Sequence, residues 1–270
     1  PKAEIHGHLI VAGAGGVQEI DQDAFFRPIT VFNNTVYEKS MAVLLLTRAL
    51  KYAVLDRGVA QLSVPNNIQK QPLDAPYCSW ESCVAGFDIM PPPAQIERAA
   101  AAINAAERPV ILAGWGAFPA AQDVLALAKK IRAPILTTYR AKGILPENND
   151  WVIGILGNVG SPAARSLATE SDLLITLGVG FSKFTNVPLD RPMVQVDIDP
   201  IHLMKNKKTI GLYGNCSHVL PALLPLVRER DDRGEREKIA LLKREWDAVR
   251  DREADLKRSE ERRVGKECRL

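Results

Sequence analysis

Cysteine is scarce in this chain: four in 270 residues, with no CxxC pair among them. That scarcity excludes a disulfide-built scaffold and a zinc ribbon. Cys78 and Cys83 lie five apart, Cys216 stands alone, and Cys268 falls in the terminal tail. Also missing is any apolar run long enough to cross a bilayer as a helix. No charge of one sign dominates; the net charge of +3 is too weak to argue for nucleic acid. Pro1-Lys2-Ala3-Glu4 does not open a signal peptide. No nucleophilic triad is readable, because His6, His8, His202 and His218 have no Ser or Cys partner in a recognisable context. His6-Gly7-His8 is too small a cluster for a metal site. These absences leave a soluble cytoplasmic protein working on small molecules. What is present is ordinary globular composition, 46% apolar and 25% charged, in a length that suits one large domain or two smaller ones.

Charge is unevenly spread. Residues 228–270 hold 28 charged positions out of 43, so a packed domain is expected to end near Val227. Within that segment Ile239, Leu242, Trp246 and Val249 recur at helical spacing, which predicts an amphipathic helix over about 235–256. From Arg258 to Arg269, RSEERRVGKECR reads codon for codon as the translation of a short-read sequencing adapter. Those residues are therefore set aside from fold reasoning, and the chain is expected to be a fragment.

Alternation of strand and helix organises the rest. Gly7–Gly13 reads as a buried strand followed by a glycine turn, residues 19–26 as one or two helical turns, Thr35–Leu55 as a helix, and Gly58–Val64 as a strand. The helix would bury Val36, Met41, Leu44, Leu45, Ala49, Tyr52 and Ala53. Residues 76–92, punctuated by Pro76, Pro91 and Pro92, read as a linker. Beyond it the rhythm is regular. Helices are predicted over 95–106, 120–131, 161–168 and 217–227. Strands are predicted over 109–114, 133–138, 172–178, 193–199 and 209–214, with a loop over 143–149. This pattern predicts an α/β fold, a doubly wound parallel sheet of Rossmann type, preceded by the C-terminal half of a second α/β domain.

Ligands of such sheets bind at the carboxyl ends of the strands, which selects four places. Gly114-Trp115-Gly116 could admit a phosphate against a helix N-terminus or be a tight turn alone. Thr137–Gly143 offers hydroxyls, two cations and a hinge glycine, or a solvated loop. Gly178-Val179-Gly180-Phe181 follows a buried strand. Asp197-Ile198-Asp199 offers a carboxylate for a ribose or ribityl chain, or an Asp capping the next turn. Together they favour a dinucleotide cofactor.

Several blocks carry a resemblance: VQEIDQDAFFRPIT, GVAQLSVP, TTYRAKG, and QVDIDP followed by Lys205–Thr209. Over roughly residues 5–228 the chain resembles the thiamine-diphosphate-dependent pyruvate oxidase and acetolactate synthase family, most of all its flavin-containing pyruvate oxidase branch. The resemblance implies a pyrimidine-binding domain represented by residues 1–75, a central FAD-binding domain over 93–229, and a helical linker over 230–257 toward a pyrophosphate-binding domain. It implies FAD contacts at Gly114, Gly116, Thr138, Gly178, Val179, Gly180, Phe181, Asp197, Ile198 and Asp199. Gln18 would be the catalytic residue beside the substrate, with Val17 where the family carries an aromatic. Asn215 stands where relatives often carry Asp.

The implied activity is decarboxylation of a 2-oxo acid such as pyruvate with thiamine diphosphate, Mg2+ and FAD. A homodimer or homotetramer is implied, with any membrane or quinone contact outside this sequence. The family's activating glutamate and its GDG…N motif are not in these residues, so the chain alone is expected to be inactive. Two readings compete. Acetolactate synthase would use its FAD structurally, and a stand-alone nucleotide-binding or electron-transfer flavoprotein module would lack thiamine chemistry altogether.

Overall fold

The computed structural model describes residues 4–5, 8–9, 20–73, 79, 86, 88–231 and 234–253. It divides into two compact units, Pro1–Phe87 and Asp88–Leu270.

Among the described residues the first unit holds two small sheets. Strands β1 (Glu4–Ile5) and β2 (His8–Leu9) pair antiparallel. The strand predicted over Gly7–Gly13 is described only at His8–Leu9; the rest lies outside the described residues. Helix α1 (Gln22–Phe26) is capped by Asp21, whose carboxylate accepts the Ala24 N–H at 2.9 Å. Strand β3 (Phe32–Thr35), helix α2 (Ala42–Leu55) and strand β4 (Ala60–Ser63) form a parallel β-α-β unit, with Phe32 opposite Ala60 and Thr35 opposite Ser63. A short α3 (Asn66–Gln69) follows.

Two expectations need correction here. Thr35 closes a strand rather than opening the helix, and β3 was missed because Asn33 and Asn34 break its apolar alternation. Of the face predicted for α2, Leu45 and Ala49 are buried, whereas Met41, Leu44 and Tyr52 are exposed. Among the described residues, the two-stranded sheet of β3 and β4 is a narrow surface for a 14-residue helix.

The second unit is built on a six-stranded, wholly parallel sheet. Its strands are β5 (Pro109–Ala113), β6 (Ile135–Thr137), β7 (Val152–Ile155), β8 (Leu173–Leu177), β9 (Met193–Asp197) and β10 (Thr209–Tyr213). They lie in the order β10-β9-β8-β5-β6-β7. Every residue of β5, β8 and β9 is buried, as parallel strands covered on both faces require. Helices α4 (Pro93–Ala105), α5 (Ala121–Ile131) and α7 (Cys216–Leu223) pack together; α6 (Pro162–Glu170) packs instead against the C-terminal α8 (Glu235–Glu253). The doubly wound α/β fold predicted from the alternation is the fold observed.

Local chemistry sets the elements. Ser161 caps α6 by accepting the Ala164 N–H, with Pro162 at the first helical position. Arg132 ends α5 in the left-handed region at φ 53°. Asp172 accepts the N–H groups of Glu107 and Arg108 at 2.6 and 2.9 Å, clamping the start of β8 to that of β5. Strand β7 was not predicted. Gly154, at φ +130°, interrupts its apolar run, and the pairing with β6 shifts register between Ile135 and Leu136. The stripe read on α8 buries Ile239 fully and Leu242, Trp246 and Val249 in part.

Candidate functional site

Numbered within the second unit, the strand order is 3-2-1-4-5-6. Successive connections reverse direction between β5 and β8, which makes the crevice outside their carboxyl ends the switch point where such sheets bind ligands. The turn after β5 and the turn after β8 meet there.

They meet closely, main chain against main chain. Gly114 donates its N–H to Leu177 O at 2.8 Å, and Gly116 donates to Gly178 O at 3.2 Å. A Cβ on Gly114 would stand 2.0 Å from Gly178 O, and one on Gly178, which sits at φ +60°, would stand 2.4 Å from Gly116 Cα. These three glycines let two main chains interlock. Both amides are engaged, one by the last residue of β8 and the other by the loop that follows it. Val179 is buried behind them.

Openness begins at Gly180, where a Cβ would meet only His202 Cε1 at 3.8 Å. Phe181 follows at φ +52°, half-buried, with Lys205 Nζ 5.7 Å from its ring centroid. On the β6 side, Thr138 donates its N–H to Ala113 O at 2.9 Å. Its side chain is buried and caps nothing in the turn it begins. Arg140 is exposed on that same turn.

At the end of β9 the aspartates differ. Asp197 is buried, its Oδ1 accepts the Asp199 N–H at 2.9 Å, and burial pushes its carboxyl above the usual carboxylate range. Asp199 is more open, with Oδ1 accepting the Ile201 N–H at 2.9 Å. His202 Nδ1 faces both, 3.9 Å from Asp197 Oδ2 and 3.5 Å from Asp199 Oδ2. Gln195 Nε2 donates to His202 O and so fastens this loop to the sheet. Ile198, which separates the two aspartates in sequence, is half-buried. The buried Cys216 thiol is pushed up to about 12, by burial first and by Asp197 second, so it stays protonated and inert at neutral pH.

Thr138, Gly180, Phe181 and Asp199 therefore flank the switch point with a hydroxyl, open main chain, a ring and a carboxylate, and Arg140 adds a cation nearby. This donor set fits a dinucleotide, whose ribose hydroxyls seek acceptors and whose phosphates seek donors. Gln18 lies outside the described residues. Asn215 is structural: its Oδ1 accepts the Ile89 N–H at 2.8 Å and its own N–H donates to Ile89 O at 3.0 Å, pinning residues 88–91 to the start of α7. Among the described residues no His, Cys, Asp or Glu cluster could hold a metal, and no helix is long and apolar enough to cross a membrane.

One feature escaped sequence reasoning. The loop after β8 reaches the loop after β7 on the far side of β5 and β6. Asn158 donates to Phe184 O at 3.0 Å, Arg165 Nη1 donates to Asn186 O at 2.7 Å, and a Cβ on Gly157 would stand 2.6 Å from Phe184 O. The spacing Gly154, Gly157, Gly160 was the available signal.

Comparison with known proteins places this geometry. Residues 96–223 match the central domain of thiamine pyrophosphate enzymes. A probable acetolactate synthase large subunit of Methanocaldococcus jannaschii is 31% identical over 225 residues, 78% of this chain and 38% of that protein. The pyruvate oxidase of Lactiplantibacillus plantarum is 27% identical over 223 residues, 79% of this chain and 36% of that protein. The crystal structure of benzoylformate decarboxylase from Polynucleobacter necessarius superposes with a TM-score of 0.65 at 18% identity, covering 80% of this chain and 42% of that one. The chain thus spans under two fifths of the length of these two curated relatives.

Proposed function

Because the chain belongs to the thiamine-pyrophosphate-dependent enzyme family, we propose that it is part of an enzyme that decarboxylates a 2-oxo acid such as pyruvate, and that residues 93–229 are its FAD-binding domain. The observation that carries the flavin reading is the β5/β8 switch point flanked by Thr138, Gly180, Phe181 and Asp199. In this reading Thr138 Oγ1 and the Arg140 guanidinium hold phosphate oxygens. The Asp199 carboxylate accepts from a ribose or ribityl hydroxyl, and the open main chain at Gly180 lets the cofactor lie close. Asp197 acts one step back, holding the turn that presents Asp199. Thiamine diphosphate supplies the nucleophile for decarboxylation, and FAD an electron acceptor. Residues 1–75 contribute Gln18 beside the substrate. The same reading expects a cytoplasmic homodimer or homotetramer and a Mg2+ ion seated by residues outside this sequence.

The test is titration of FAD against the chain, followed by flavin fluorescence. Saturable binding is expected. No binding, or a clear preference for NAD, sinks the flavin reading. A second reading, a carboligase of the acetolactate synthase type with structural FAD, is favoured by the higher identity of the acetolactate synthase relative. Reduction of bound FAD by pyruvate in the full-length protein separates the two.

A further inference from the structure

The connection from β5 to α5 is a 3-10 helix, Trp115–Ala120, rather than an immediate α-helix. In a 3-10 helix, side chains three apart eclipse one another. Ala117 and Ala120 accordingly form its buried face, while Trp115 and Phe118 share another. Their rings lie nearly parallel, 18° between planes and 5.3 Å between centroids. Both are 55% exposed. This helix packs against the turn Tyr139–Ala141 at the end of β6, where Tyr139 is also exposed and Arg140 follows it. A half-bare indole stacked on a phenyl ring at the switch point offers a flat aromatic surface on which another ring can stack.

We propose that Trp115, backed by Phe118, is a stacking platform for a planar heteroaromatic ring of the bound dinucleotide and so sets affinity for it. The inference rests on the nucleotide reading of the crevice above. Its occupant follows from placement: Trp115 lies between Gly114 and Gly116 of the switch-point turn, and the helix that carries it packs against the turn Tyr139–Ala141, which Thr138 precedes and which holds Arg140. The parallel packing of Trp115 on Phe118 presets the indole plane, so little side-chain freedom is lost when a ring settles on it. Two rings of FAD could be the one that stacks, the isoalloxazine or the adenine.

The experiment measures dissociation constants of the 270-residue chain and its variants for FAD, FMN and ADP by calorimetry, with indole emission recorded alongside. Loss of a stacking ring is expected to weaken FAD about tenfold in Trp115→Ala and in Trp115→Leu, which keeps apolar bulk without the ring. Trp115→Phe is expected to stay within about threefold of the parent. Unchanged circular dichroism and urea midpoints in Trp115→Leu and Trp115→Phe keep the comparison free of folding defects. Weakening confined to FMN assigns the isoalloxazine, weakening confined to ADP assigns the adenine, and either supports the platform. If the parent binds FAD and Trp115→Ala and Trp115→Leu bind it equally well, the platform is wrong while the flavin reading stands. A parent chain that binds none of the three overturns both.

Discussion

Gly178 is where a single atom decides most. It sits at φ +60° with Gly116 Cα 2.4 Å from where its Cβ would be. Gly178→Ala therefore combines a left-handed backbone with a main-chain clash, and we expect at least about 2 kcal/mol of lost stability, read from the urea midpoint. A loss under about 0.5 kcal/mol would show that the two turns give way easily. Asp197 makes a second residue-scale case. Burial raises its carboxyl above the unfolded value of 3.8. A carboxyl raised in the folded state favours folding when protonated, so its contribution declines as pH rises from about 4 through the raised folded pKa. Asp197→Asn keeps an oxygen for the Asp199 N–H and cannot ionise. We expect the parent to lose stability relative to this variant across that rise, and parallel urea midpoints at pH 4 and pH 7 would contradict the assignment. Much of this was legible beforehand. The sequence singled out Gly114, Gly178 and Asp197 as strand-end residues. It could not say that the glycines face each other or that Asp197 is the buried member of its pair, because both depend on which strands are neighbours.

Elements were read best where the period was long and the caps were explicit. Helix α6 was found from Ser161-Pro162, and β5, β8 and β9 from continuous apolar runs, since all three are buried on both faces. Strands β3 and β7 were missed because paired asparagines interrupt the one, and a glycine beside a register shift the other. Helix α2 misled in another way: its period was right, but among the described residues much of its apolar surface is exposed. Leu44 and Leu50 are 43% and 47% exposed, with Val54 and Leu55 similarly bare. Leu44→Lys with Leu50→Lys is expected to leave the unfolding midpoint within about 0.5 kcal/mol of the parent, since exposed positions tolerate change. Light scattering at raised concentration should fall, because an apolar patch is removed. A midpoint drop above about 2 kcal/mol would show instead that these leucines are packed in solution.

For the whole molecule, the larger core among the described residues belongs to the second unit, where it runs from Ile96 on α4 to Ile239 on α8, whereas the cluster described in the first unit is the small group of Val36, Leu45 and Ile68. Urea unfolding of the chain is therefore expected in two steps, the first unit melting at lower denaturant, as follows when apolar burial supplies most of the driving force. Tryptophan emission, dominated in the second unit by Trp115, Trp151 and Trp246, should report the later step. The tail Arg258–Leu270 lies outside the described residues. Its removal is expected to move neither midpoint by more than about 0.5 kcal/mol, because its only apolar side chains are Val264, Cys268 and Leu270.

The interlocked turns of Gly114, Gly116 and Gly178 also bear on genetics. The atoms that a new Cβ would strike there are main-chain atoms, Gly178 O, Gly116 Cα and Ala117 N. No substitution elsewhere can shorten a carbonyl or withdraw an amide. A side-chain clash in a core can be relieved by trimming the partner, and this one has no partner to trim. A selection for intragenic suppressors of Gly178→Ala should accordingly return true revertants and globally stabilising changes, but no allele-specific compensator within the crevice. The joint between the two halves of the sheet is, in that sense, a place where this protein can only go back.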